Sequence, residues 1–90
     1  MLRLHILVSG RVQGVGYRYF TKEKASKAGI CGWVKNLPDG RVEAEVQGEE
    51  NLLLDFLAVL RKGPPLGIVK DIVRYEIPVD ERDLSFVIRY

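Results

Sequence analysis

Residues 41–47 read Arg-Val-Glu-Ala-Glu-Val-Gln, apolar at every second place. Successive side chains of a strand point to opposite faces, so Val42, Ala44 and Val46 share one face while Arg41, Glu43, Glu45 and Gln47 share the other. A sheet built on this strand is apolar on one side and wet on the other, and it needs one covering layer. The beginning of the chain repeats the pattern: Leu2, Leu4, Ile6 and Val8 fall on one face, Arg3 and His5 on the other.

Two helical segments supply the cover. Tyr17, Phe20, Lys24, Ala25 and Ala28 recur near helical spacing, and Gly29 stands where a left-handed residue ends a helix. Lys22, Glu23, Lys24 and Lys27 read as the solvated side of that helix. In the second segment Glu49 and Glu50 suit the positive end of a helix dipole, and Leu52, Leu53, Phe56, Leu57 and Leu60 form an apolar stripe that Gly63, Pro64 and Pro65 terminate. Segments 31–36 and 41–47 flank Leu-Pro-Asp-Gly, which predicts a hairpin with positive φ at Gly40. Segments 68–77 and 84–90 are strand-like, joined by a turn over 78–83. The order β-α-β-β-α-β plus a short terminal strand predicts an α+β, ferredoxin-like split β-α-β sandwich: an antiparallel sheet with two helices on one face.

Ninety residues suit one domain, 1–90, large enough for a single core without disulfides or metals. A net charge of +2 is too small to announce a nucleic-acid binder, and it supports only a mild preference for small anions. The lone cysteine, Cys31, has no partner for an internal disulfide, and no basic-then-apolar opening resembles a signal peptide, so a reducing, cytoplasmic setting is expected. The longest apolar run, 52–60, is broken by Asp55 and far too short to span a bilayer.

Between the first strand and first helix lies Gly-Arg-Val-Gln-Gly-Val-Gly-Tyr-Arg, residues 10–18. Unpaired backbone N–H groups and the dipole at a helix N-terminus both favour an anion, and Gly10, Gly14 and Gly16 allow the backbone to turn its N–H groups inward as a nest. Arg18 could then grip the same anion with its planar fork. Spacing alone leaves a second reading equally open, in which the glycines permit a sharp turn and Arg18 is solvated. A Walker loop is excluded because no Gly-Lys-Ser/Thr ends the stretch, and a dinucleotide fingerprint because Tyr19 stands at its third glycine. Arg11 either raises the local potential or faces water. Asn36, at a strand end before a turn, reads by spacing alone as a residue bonding nearby backbone.

Taken together, residues 10–18 and the stretch Gly-Trp-Val-Lys-Asn-x-x-Asp-Gly-x-Val-Glu from Gly32 resemble the two signatures of the acylphosphatase family. The order of elements, the acidic start of the second helix, Gly-Pro-Pro after it and the closing Phe-Val-Ile-Arg-Tyr extend the resemblance over essentially the whole chain. It implies hydrolysis of the carboxyl–phosphate bond of acyl phosphates to a carboxylate and inorganic phosphate, without metal or cofactor. It further implies that Arg18 and the loop amides of Gln13, Gly14, Val15, Gly16 and Tyr17 bind the phosphate, that Asn36 holds the attacking water, and that a phosphate oxygen accepts that water's proton. Inorganic phosphate would bind as product or inhibitor.

The alternative is a non-catalytic module on the same scaffold, binding RNA or a phosphorylated metabolite through the open sheet face. Glu43 and Glu45 on that face would repel a phosphate backbone, so no nucleic-acid or membrane partner is expected, and a monomer is. A heavy-metal chaperone would need paired cysteines. Cys31 reads as an inert, semi-buried apolar residue, Trp33 and the Tyr17 ring as packing residues, and His5 lies at the far end of the first strand from the loop.

Overall fold

The computed structural model describes residues 1–90. Its elements are β1 (Leu2–Arg11), α1 (Tyr17–Ala28), β2 (Cys31–Asn36), β3 (Val42–Gly48), α2 (Glu50–Lys62), β4 (Ile68–Ile77) and β5 (Phe86–Ile88). The five strands form one sheet in the order β4-β1-β3-β2-β5, with β3, the most fully buried strand, at the centre. Both helices pack on one side, and the core between them and the sheet includes Ile6, Val8, Val34, Val42, Val46, Leu53 and Leu60.

The sheet is antiparallel at every pairing but one. β5 runs parallel to β2, with Gly32 opposite Phe86 and Val34 opposite Ile88. The turn over 78–83 carries the chain across to the far edge instead of back beside β4, and Gln47 anchors that crossing: its side chain accepts from the Asp80 N–H at 2.8 Å and donates to the Asp80 carbonyl at 2.9 Å.

Local chemistry fixes the element ends. Gly29, φ 72°, closes α1 by the left-handed route, and Gly40, φ 95°, reverses the hairpin as its position before Arg41 predicts. In α2 Leu53, Phe56, Leu57 and Leu60 are buried, whereas Leu52 belongs to the expected stripe but is exposed, one position off the inward arc.

The face expected to be wet is only partly so. Arg3 is buried there, donating to Glu45, Gln47 and Asp83 at 2.9–3.1 Å. Burial alone would lower its pKa, but hydrogen bonds and charge from Asp83 and Glu45 outweigh that and hold it above its ordinary value. His5 sits between Glu43, 3.0 Å from Nε2, and Glu45, 3.3 Å from Nδ1.

Candidate active site

The site is assembled where β1 hands over to α1. β1 runs three residues beyond the expected Val8, through a bulge at Ser9 and Gly10. Gly10 therefore belongs to the sheet and not to an anion nest: a Cβ there would stand 2.2 Å from the Ile68 carbonyl oxygen and 2.8 Å from the Lys70 nitrogen. Its role is close approach of two strands.

Gly14 and Gly16 behave differently. Their φ angles are 72° and 81°, and a Cβ at either position would touch nothing within 4 Å. Only the left-handed backbone selects glycine there. Gly16 precedes α1 as its N-cap, without a side-chain cap, and the first turn carries no acidic residue. The N–H groups of Gln13, Gly14, Val15, Gly16 and Tyr17 donate to no protein acceptor. A run of free donors at the positive end of a helix is a site for an anion.

The opposite wall comes from β2. Register aligns Val8 with Val42 and Val42 with Asn36, so Asn36 lies two strands across from the exit of β1, about 10 Å at the usual strand spacing. Alternation from Val34 places Asn36 on the helix-covered face. It is a carboxamide at the rim of an apolar layer. Its Oδ1 is buried without a hydrogen-bond partner, the sole such side-chain atom in the protein. An orphaned buried oxygen costs free energy unless a ligand or water meets it.

Between these walls is a cavity of about 130 Å³ lined by Val12, Gly14, Gly16, Tyr17, Arg18, Tyr19 and Asn36. The structure thus brings five of the expected site residues together, and Gln13 and Val15 do not line the cavity. Gln13 works from behind: its Nε2 donates to the Leu37 and Arg41 carbonyls at 2.7 and 2.9 Å, tying the glycine loop to the hairpin that carries Asn36. Val15 packs against the core. Tyr17 is buried with its hydroxyl on the Leu60 carbonyl at 2.8 Å, and burial pushes its phenol above the ordinary value. Arg18 is half-buried, its guanidinium carbon 4.9 Å from the centroid of the Tyr90 ring. Val12 and Tyr19 on the cavity wall, and Tyr90 against Arg18, are additions to the expected site residues.

Several groups are placed away from the cavity. His5, between its two carboxylates, lies on the open face with Trp33, which is packed edge-on to His5 at 6.4 Å and lies under Arg89 at 4.6 Å. The Cys31 thiol is raised by burial and by Asp83, and Gln47 is its only hydrogen-bond partner. Arg11 is exposed. No carboxylate or imidazole lines the cavity; its titratable side chains are Tyr17, Arg18 and Tyr19.

Comparison with known proteins gives the family. The acylphosphatase family model matches residues 4–88. An acylphosphatase of Nostoc sp. is 49% identical over 79 residues, covering 87% of this chain and 78% of the relative. One of Archaeoglobus fulgidus is 47% identical over 90 residues and all of both chains. The crystal structure of acylphosphatase from Bacillus subtilis superposes with a TM-score of 0.96 at 46% identity, covering both chains fully. With the fold, the bare amides and the paired motifs in agreement with a match over nearly its whole length, the chain belongs to the acylphosphatase family, the hydrolases of acyl phosphates.

Proposed function

We propose that the free amides of residues 13–17 and the Arg18 guanidinium hold the phosphoryl group of an acyl phosphate, while Asn36 aims the attacking water. The observation that carries this reading is the orphaned Asn36 Oδ1 on the same small cavity as Arg18, Gly14 and Gly16. In it, one hydrogen of the water bonds Asn36 Oδ1, leaving an oxygen lone pair directed at phosphorus. The new O–P bond forms opposite the carboxylate oxygen, and the old P–O bond breaks with its electron pair leaving on the carboxylate. No base lines the cavity, so the water's second proton passes to a phosphoryl oxygen of the substrate itself. Arg18 and the amides stabilise charge on the equatorial oxygens, and positioning supplies the remainder.

The protein acts without metal or cofactor in this reading, as a monomer on a freely diffusing substrate in the cytoplasm. Its Cα radius of gyration, 11.8 Å, matches a compact unit of this length. Nucleic acid is disfavoured by Glu43 and Glu45 on the open face, where Trp33 is already covered.

Steady-state hydrolysis of benzoyl phosphate, measured with and without chelator, tests the reading. Activity persists in chelator, inorganic phosphate competes, and Arg18→Lys, which keeps the charge but loses the fork, lowers kcat/KM by on the order of a hundredfold. Loss of activity in chelator, or an Arg18→Lys enzyme within threefold of the parent, overturns it.

A further inference from the structure

We infer that Tyr19 is a specificity-determining residue, giving the enzyme a preference for acyl phosphates whose acyl group is aromatic; the inference rests on the placement of phosphate and water proposed above. The cavity is small, about 130 Å³, and open to solvent. With the phosphoryl group on Arg18 and the loop glycines and the attacking water on Asn36, the in-line geometry sends the leaving carboxylate away from Asn36. The acyl group therefore leaves through the mouth, and its environment is whatever side chains stand there.

What stands there is tyrosine. Tyr19 lines the cavity beside Arg18 and Asn36 yet is 67% exposed. Its ring stacks on no other aromatic residue and carries no cation, whereas Tyr17 pairs with Phe20, and the rings of Phe20, Trp33 and Tyr90 each lie under a cation. Its hydroxyl makes no protein hydrogen bond, unlike that of Tyr17. Core packing thus makes no use of the Tyr19 ring, which a helix start with Arg18 on one side and Phe20 on the other holds at the rim.

The charges at the mouth point the same way. Arg18 is the single cation lining the cavity, and the phosphoryl group engages it; Tyr90 covers one of its faces. An acyl group bearing its own carboxylate or phosphate meets no second cation among the lining residues. A flat apolar one meets the unused face of Tyr19, an offset-stacked or edge-on contact of the kind aromatic pairs favour.

The experiment compares kcat/KM for benzoyl phosphate and acetyl phosphate in the wild type, Tyr19→Ala, Tyr19→Phe and, as a control on the exposed side of the same helix, Lys22→Ala. Tyr19→Ala lowers the benzoyl-to-acetyl ratio about fivefold, chiefly through KM for benzoyl phosphate, because the contact is present in ground and transition states alike. Tyr19→Phe keeps the ratio, since the ring and not the hydroxyl makes the contact, and so does Lys22→Ala. Thermal melting of each variant separates selectivity from misfolding, and the exposure of Tyr19 makes a folded Ala variant the expected result. An unchanged ratio in Tyr19→Ala, equal losses on both substrates, or a Tyr19→Phe enzyme resembling Tyr19→Ala overturns the assignment to the ring while leaving the phosphate site standing. If the wild type hydrolyses neither substrate, the underlying placement falls and the selectivity with it.

Discussion

Replacing Asn36 with alanine sets catalysis against stability in opposite directions. The carboxamide makes no protein hydrogen bond, and its buried Oδ1 is unpartnered. Leaving such an atom unsatisfied costs a folded protein about 1–3 kcal/mol. Its removal returns part of that, less the packing lost at a half-buried position. At 4–8 °C per kcal/mol for a domain of this size, the Ala variant melts within about 4 °C of the parent or above it. Turnover goes the other way. Losing one aimed hydrogen-bonding group at a reacting centre costs on the order of 10²–10³ in kcat, about 2.7–4 kcal/mol. KM changes little, because Arg18 and the amides still hold the phosphoryl group. Differential scanning calorimetry and steady-state hydrolysis of benzoyl phosphate on the same preparation give both numbers. A variant that melts 8 °C lower, or one that keeps kcat within threefold, refutes the reasoning: the first makes Asn36 a structural residue, the second removes it from water activation.

Two further predictions concern the framework. A Cβ on Gly32, at φ 138°, would stand 1.9 Å from the Glu45 carbonyl oxygen, so Gly32→Ala must pry β2 from β3 and costs on the order of 3 kcal/mol or more. Gly16→Ala, strained in φ but open in space, costs about 1–2 kcal/mol, and thermal melts of the pair should rank them in that order. Burial raises the Tyr17 phenol above its unfolded value of 10.0, so the folded chain keeps a proton that the unfolded chain loses. That contribution is intact below about pH 10 and is lost as pH rises from there toward the folded pKa. Tyr17→Phe should cost about 1–3 kcal/mol at pH 7 through the unsatisfied Leu60 carbonyl, yet decline less steeply than the parent above pH 10, as urea titrations at several pH values would show.

The architecture was legible because alternation and punctuation agree. Val42, Ala44 and Val46 declare a one-sided sheet, Gly29 and Gly40 mark turns whose left-handed φ the structure confirms, and Gly63 ends α2 where expected. The parallel pairing of β5 was not, because no local pattern in 78–83 says which edge the chain will reach; that depends on Gln47, more than thirty residues away. Gly10 looked like its neighbours Gly14 and Gly16, and only the register with β4 shows that a strand and not a loop requires it. For Asn36 a signal existed: counting by twos from Val34 puts a carboxamide on the apolar face, where a turn residue has no reason to be. Tyr19 and Tyr90 had none, because exposure and a ring lying over Arg18 are properties of the assembled molecule.

The twin hydrogen bonds from Gln13 have a thermodynamic consequence for capture. They rivet the glycine loop to the reverse turn behind Asn36, so both jaws of the cleft are set before anything enters it. On the proposed placement, an incoming anion then freezes few backbone torsions, and little of its binding energy is diverted to shaping the receptacle. A ninety-residue hydrolase of this design works like a die cut in advance, and a single neutral amide keeps its two halves in register.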